Sequence, residues 1–155
     1  MFVALCAVLV GIAGEAKGSN KDTALLDQII TQEADSRQDA IKHWIHILTV
    51  IDIALDGQVR IETFMDLLKQ EVVYLGELKA HGTTRMKKAY CSMILQQRIS
   101  VMSFEVKFKK QFGNKSEASP KTQAAGLSDE QVEAIQKNLN ETTKLKKKVE
   151  SITTN

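Results

Sequence analysis

Three side chains that could ligate a metal lie close together in the sequence, at Asp39, His43 and His46. Residues three or four apart share one face of a helix, so this spacing could present a carboxylate and two imidazoles to one ion. Zinc sites usually take ligands from more than one element, and the sequence has neither an HExxH motif nor a closely spaced cysteine pair. We therefore predict no metal and no cofactor, and interpret these residues as one edge of a partly exposed helix.

No motif for nucleophilic or acid–base catalysis is found. The sequence has no GxSxG nucleophile elbow and no glycine-rich phosphate loop. Cys91 has no histidine close to it in the sequence, and the carboxylates are scattered rather than paired. We predict that the protein is not an enzyme.

Composition and charge narrow the class of protein further. The chain has 155 residues, of which 43% are hydrophobic, enough to bury the core of one domain. Its formal net charge of +2 is too small to indicate a nucleic-acid-binding protein. We therefore predict one globular domain that does not bind nucleic acid.

The amino-terminal segment has the pattern of a secretory signal peptide. Phe2 to Ala13 is an apolar run of twelve residues, too short to cross about 30 Å of hydrocarbon as a helix. Gly14 and Ala16 follow it as the small residues that signal peptidase requires. We predict cleavage after Ala16, so that residues 1–16 are removed and the mature protein is secreted and extracellular, with no transmembrane span.

Cleavage at this point also removes Cys6 and leaves Cys91 as the single cysteine of the mature chain. A lone cysteine cannot close an intramolecular disulfide. Two interpretations remain open: Cys91 is a small buried apolar residue, or it forms a disulfide with a second copy and makes a homodimer.

Apolar residues recur at helical spacing in four segments of the chain. The first segment runs from Asp22 to Leu55 and ends at Asp56-Gly57, with a polar stretch at 31–39 where the helix could break. Residues 41–55 are apolar nearly all round, which indicates an enclosed helix with Trp44 buried on it. The second segment runs from Gln58 to Ala80 and ends in the His81–Thr84 turn.

The third segment is a long helix from about Arg85 to Phe112, which contains neither glycine nor proline. Residues 113–127 form a flexible linker, and Ser128 with Gln131 then predicts a capping box at the start of the fourth helix. The chain is therefore predicted to be all-α, a four-helix bundle-like single domain over residues 17–155. Asn114 in the linker and Asn140 in the fourth helix are predicted N-glycosylation sites, since each begins an N-x-S/T triplet.

Positive charge is concentrated on the third helix. Residues 81–112 have seven basic side chains and one acidic, whereas residues 20–80 have six basic and eleven acidic. One interpretation is that the acidic helices neutralise the third helix inside the bundle. The other is that a basic strip faces solvent and binds an anionic macromolecule. That strip consists of Lys87, Lys88, Arg98, Lys109 and Lys110.

Two apolar lines run along the same helix. The first is interpreted as its core stripe and consists of Met86, Tyr90, Met93, Ile94, Val101, Phe104 and Phe108. The second consists of Leu95, Ile99, Met102 and Val106. The fourth helix covers this second line, or the line is an interaction surface with a basic border.

These observations favour a secreted, non-enzymatic helical protein. We predict that it binds another macromolecule, a protein or other anionic partner, through the surface of its third helix. The alternative is a carrier of a small apolar, lipid-like ligand held between the helices.

Overall fold

The computed structural model describes residues 20–51, 53–112 and 128–154. These residues form four α-helices and no strand: α1 (Asn20–Val50), α2 (Leu55–His81), α3 (Thr84–Phe112) and α4 (Asp129–Glu150). The all-α prediction is thereby confirmed. The predicted signal peptide, the linker and Asn114 lie outside the described residues.

The chain divides into two compact units. The first unit contains α1, α2 and the start of α3 as far as Lys88, and the second contains the rest of α3, from Ala89, together with α4 and Ile152. The single domain over residues 17–155 stays a prediction.

In the first unit, α1 and α2 pack against each other as a helical hairpin. The side chains buried on α1 are Leu26, Ile29 and Ile30, and those on α2 are Met65, Leu68, Leu75 and Leu78. Their spacing of three, four or seven residues places them on one stripe of each helix. Burying a side chain of this size stabilises the fold by about 1.5–3 kcal/mol.

Helix α1 is continuous through its polar middle. The Thr31 hydroxyl donates to the carbonyl oxygen of Asp27 at 2.8 Å, and Arg37 bonds to the carbonyl oxygen of Glu33 at 3.0 Å and to its carboxylate at 2.7 Å. The Arg37–Glu33 contact is an i,i+4 ion pair, which supports a helix, and the Thr31 bond is one that a hydroxyl makes to the turn before it in a helix. The stretch at 31–39 therefore does not break the helix.

The boundary between α1 and α2 differs from the prediction. Helix α1 ends at Val50, and α2 begins at Leu55, so Asp56 and Gly57 lie in the first turn of α2. The reason is local, because the amides of Gly57 and Gln58 both donate to the carbonyl oxygen of Ala54, at 2.8 and 3.1 Å. Those bonds nucleate the next helix instead of ending the previous one.

The end of α1 is also less enclosed than predicted. Trp44 is half-buried, whereas Ile45, Val50 and Ile51 are 49%, 66% and 54% exposed. A helix that is apolar all round needs neighbours on several sides to cover it. In the first unit α2 packs along one side of α1, which leaves the other apolar side chains exposed.

The turn from α2 to α3 is as predicted. The Gly82 amide donates to the carbonyl oxygen of Leu78 at 2.9 Å, and Gly82 itself is extended, at φ −68° and ψ 141°. The Thr83 hydroxyl then accepts from the amide of Met86 at 3.2 Å and caps α3.

In the second unit, the predicted capping box of α4 is confirmed. The Ser128 hydroxyl accepts from the Gln131 amide at 3.2 Å, and the Ser128 amide donates to the Gln131 side chain at 2.7 Å. At the other end of α4, the Ser92 hydroxyl of α3 donates to Glu150 at 3.3 Å. None of the described helices combines the length and the apolar character that crossing a membrane requires.

Candidate interaction surface on α3

The basic charge of α3 is neutralised at Lys87. This residue is 6% exposed, and its ammonium donates to the Asp27 carboxylate and to the carbonyl oxygen of Lys79, each at 2.7 Å. Asp27 belongs to the acidic helix α1. At Lys87, therefore, the interpretation in which acidic helices neutralise the basic helix is confirmed.

The other predicted strip residues differ in exposure. Lys88 and Lys109 are half-buried, Arg98 is exposed, and the side chain of Lys110 lies outside the described residues. Partial burial lowers the pKa of Arg98 from its ordinary value, which is so far above neutrality that the guanidinium stays charged. The basic residues therefore do not form one continuous exposed strip in the described part of α3.

The second apolar line is largely covered. Leu95 is fully buried and Val106 is 6% exposed, while Ile99 and Met102 are half-buried. Ser92 lies on the same side of α3 as Leu95 and Ile99, since the three are three and seven residues apart. Its hydrogen bond to Glu150 places the end of α4 beside this line. Partner binding at these residues stays a prediction, and it would require the buried members to open.

The first apolar line is not the core stripe that the sequence predicted. Met93, Val101, Phe104 and Phe108 are 50%, 58%, 66% and 53% exposed. Of the remaining members, Ile94 is buried, and Met86 and Tyr90 are half-buried. The prediction is wrong for four of the seven residues. Two apolar lines run along α3, and periodicity alone does not say which of them is buried against other parts of the protein.

One polar residue could have indicated the exposure. Gln97 lies four residues from both Met93 and Val101, in the middle of the first line, and it is exposed. The second line has no polar residue at its corresponding positions. An amide at a core position would require a buried hydrogen-bond partner, so its presence favours a solvent-facing line.

We define the α3 stripe as Met93, Gln97, Val101, Phe104 and Phe108. At 3.6 residues per turn, these five occupy about a quarter of the helix circumference. The rings of Phe104 and Phe108 contact each other, with centroids 5.9 Å apart. The four apolar members expose on the order of 400 Å² per chain, within the range of about 300–600 Å² for the largest apolar patch of a monomer, which is often functional.

Polar and charged residues border the stripe on both margins. Arg98 and the half-buried Glu105 lie along one margin, and the exposed Ser100 and Lys107 lie along the other. No charged residue lies in the sector of the stripe itself between residues 93 and 108. An apolar centre with a polar rim is the usual arrangement of a protein–protein interface.

The metal-ligand candidates of the sequence, Asp39, His43 and His46, belong to α1 in the first unit. His43 and His46 are exposed, the His43 ring lies 5.8 Å from that of Trp44, and Asp39 accepts from Lys42 at 3.3 Å. In the described part of the chain, no three histidine, cysteine, aspartate or glutamate side chains are placed to hold a metal ion. Cys91 is fully buried, and Asn140 is exposed on α4.

Comparison of the chain with models of protein families, with curated proteins and with solved structures finds no match. The function is therefore inferred from the chain's own geometry.

Proposed function

We propose that the protein is non-enzymatic and acts by binding another macromolecule through the α3 stripe. The observation that carries the proposal is that four large apolar side chains on one face of α3 are each half or more exposed. Exposed apolar area of this size is unfavourable in water, and its burial against a partner drives association.

The chemistry of the stripe supports a protein partner. Aromatic residues, methionine and arginine are enriched at protein–protein interfaces, and charged residues are depleted at their centres. Phe104 and Phe108 are both exposed members of the stripe, and Arg98 lies at its margin. Large anchors of this kind usually contribute most of the binding energy.

Secretion is part of the proposal and rests on the sequence of residues 1–16. An apolar run of this length followed by small residues is the pattern of a cleaved signal peptide. The partner would then meet the protein outside the producing cell.

A site-specific photocrosslink tests the proposal. p-Benzoylphenylalanine replaces Phe104 in one variant and Val73 in a matched control, since Val73 is also 66% exposed but lies on α2. We expect irradiation in the medium of producing cells to give a discrete macromolecular adduct from position 104 and none from position 73. No adduct at 104, or the same adducts from both positions, would refute the proposal.

A further inference from the structure

We propose that the partner of the α3 stripe is a second copy of the same chain, with the two α3 helices antiparallel about a twofold axis that crosses the stripe between Val101 and Phe104. This inference rests on the proposed function and specifies its partner. It follows from the order of residues along the stripe and along its margins, all of which lie in the second unit.

Four positions of the stripe have the heptad spacing of paired helices. Gln97, Val101, Phe104 and Phe108 are separated by four, three and four residues, which is the a/d alternation of a heptad repeat. In an antiparallel pair, a positions of one helix meet d positions of the other. Val101 then packs against Phe104 of the second copy, and Gln97 against Phe108 of the second copy, each contact occurring twice by symmetry.

The charges on the margins fit the same register. Arg98 and Glu105 are seven residues apart and lie on the same margin, one on each side of the axis. Antiparallel pairing therefore places Arg98 of each copy opposite Glu105 of the other. On the opposite margin, Ser100 faces Lys107 of the second copy. No like charges meet at these positions.

A parallel pair would lose this complementarity. In a parallel pair, the margin that contains Ser100 on one helix faces the margin that contains Glu105 on the other. Each residue then lies opposite the residue five positions further along the second helix. Glu105 would then face Ser100, and Arg98 would face Met93. The register of charges thus selects the antiparallel arrangement, in which the same surface of both copies forms the contact.

The expected affinity is modest. Two stripes together bury less than the roughly 1,200 Å² at which stable interfaces begin, so we expect a weak dimer that dissociates on dilution.

Sedimentation of the purified protein from about 1 µM to 1 mM tests the pairing. We expect a monomer–dimer equilibrium in the wild type. Phe104→Glu should raise the dissociation constant at least about tenfold, because it buries a carboxylate in the seam. Val73→Glu, at an equally exposed apolar position, should leave it unchanged. Circular dichroism verifies that each variant is folded.

A charge exchange tests the register. Arg98→Glu and Glu105→Arg should each weaken the dimer, because each brings like charges together. The double variant should restore the wild-type dissociation constant to within about threefold, since the pair is rebuilt with reversed sign. A single variant that leaves the dimer unchanged, or a double variant that does not recover, would overturn the register.

The experiments distinguish failure of the proposed dimer from failure of the proposed binding function. If the protein sediments as a monomer throughout, or if Phe104→Glu leaves the dimer unchanged, the second copy is excluded as the partner of the stripe. A photoadduct from position 104 with a different protein, or within the same chain, would also overturn the second copy. An adduct with a different protein would leave the proposed function standing. An adduct of twice the chain mass supports the dimer.

Discussion

Lys87, on the first turns of α3, is joined to Asp27 of α1 by an ion pair of 2.7 Å, and the same ammonium donates to the carbonyl oxygen of Lys79 near the end of α2. The side chain of Lys87 is almost fully buried, and that of Asp27 is 30% exposed. A buried ammonium is tolerated because a carboxylate and a carbonyl replace its water. One cation thus ties three helices together within the first unit.

Lys87→Met should destabilise the fold by about 1–3 kcal/mol, because it leaves the partners of the ammonium without their donor. Water reaches Asp27, which keeps the cost below that of a fully buried ion pair. The control is Lys137→Met at an exposed position of α4. We expect it to change the free energy of unfolding by less than about 0.5 kcal/mol. Urea denaturation followed by circular dichroism measures both. Equal effects would show that the Lys87 contacts add nothing.

Alanine substitutions at two glycines should change the stability of the fold in opposite directions. A Cβ added at Gly76, inside α2, meets nothing within 4 Å, whereas one at Gly82 meets the carbonyl oxygen of Leu78 and lies 2.7 Å from its Cδ1. Gly76→Ala should stabilise by about 0.5–1 kcal/mol through helix propensity. Gly82→Ala should destabilise by about 1–3 kcal/mol, because backbone must move. Thermal unfolding compares the two, and a stabilising Gly82→Ala would contradict the described turn.

The two apolar lines of α3 should respond differently to truncation. Leu95 is fully buried, so Leu95→Ala should cost about 2.5–5 kcal/mol. Phe104 is 66% exposed, so Phe104→Ala should cost less than about 1 kcal/mol in a protein dilute enough to be monomeric. Denaturant titration gives both free energies of unfolding. A large loss at Phe104 would mean that this line is core after all.

Trp44 reports on the exposed end of the helical hairpin. Its ring meets the edge of Phe64, with centroids 6.2 Å apart and planes at 87°, and Phe64 is 45% exposed. Trp44→Ala should therefore cost about 1–3 kcal/mol, below the 3–5 kcal/mol of a fully buried aromatic residue. Trp44 emission should be quenched in part by acrylamide, and Phe64→Ala should shift it to the red. Complete protection from acrylamide would contradict this placement.

Local chemistry made several features predictable from the sequence. The capping box at Ser128 and Gln131, the turn at Gly82 and the cap at Thr83 each depend on hydrogen bonds between residues a few positions apart. Such bonds form whatever the rest of the chain does. Helical periodicity likewise predicted the four helices, because it depends on spacing within each segment.

Two predictions made from local sequence were wrong: the end of α1 and the enclosed environment of Trp44. Asp56-Gly57 has the composition of a helix end, yet the amides at 57 and 58 donate to the carbonyl oxygen of Ala54 and begin α2. The enclosed environment predicted for Trp44 depended on how many helices surround α1, a number that no residue of α1 determines.

The sequence by itself determined that α3 is a helix with two apolar lines and an excess of positive charge, because these properties depend on residue types and on 3.6 residues per turn. Only the tertiary structure decided that Leu95 is buried and Phe104 exposed, and that Lys87 is paired with Asp27. The residues that bury one face of a helix, or that pair with its charges, are distant from it in the sequence. Asp27 lies sixty positions before Lys87, and spacing within one helix contains no information about which neighbour packs against which of its faces.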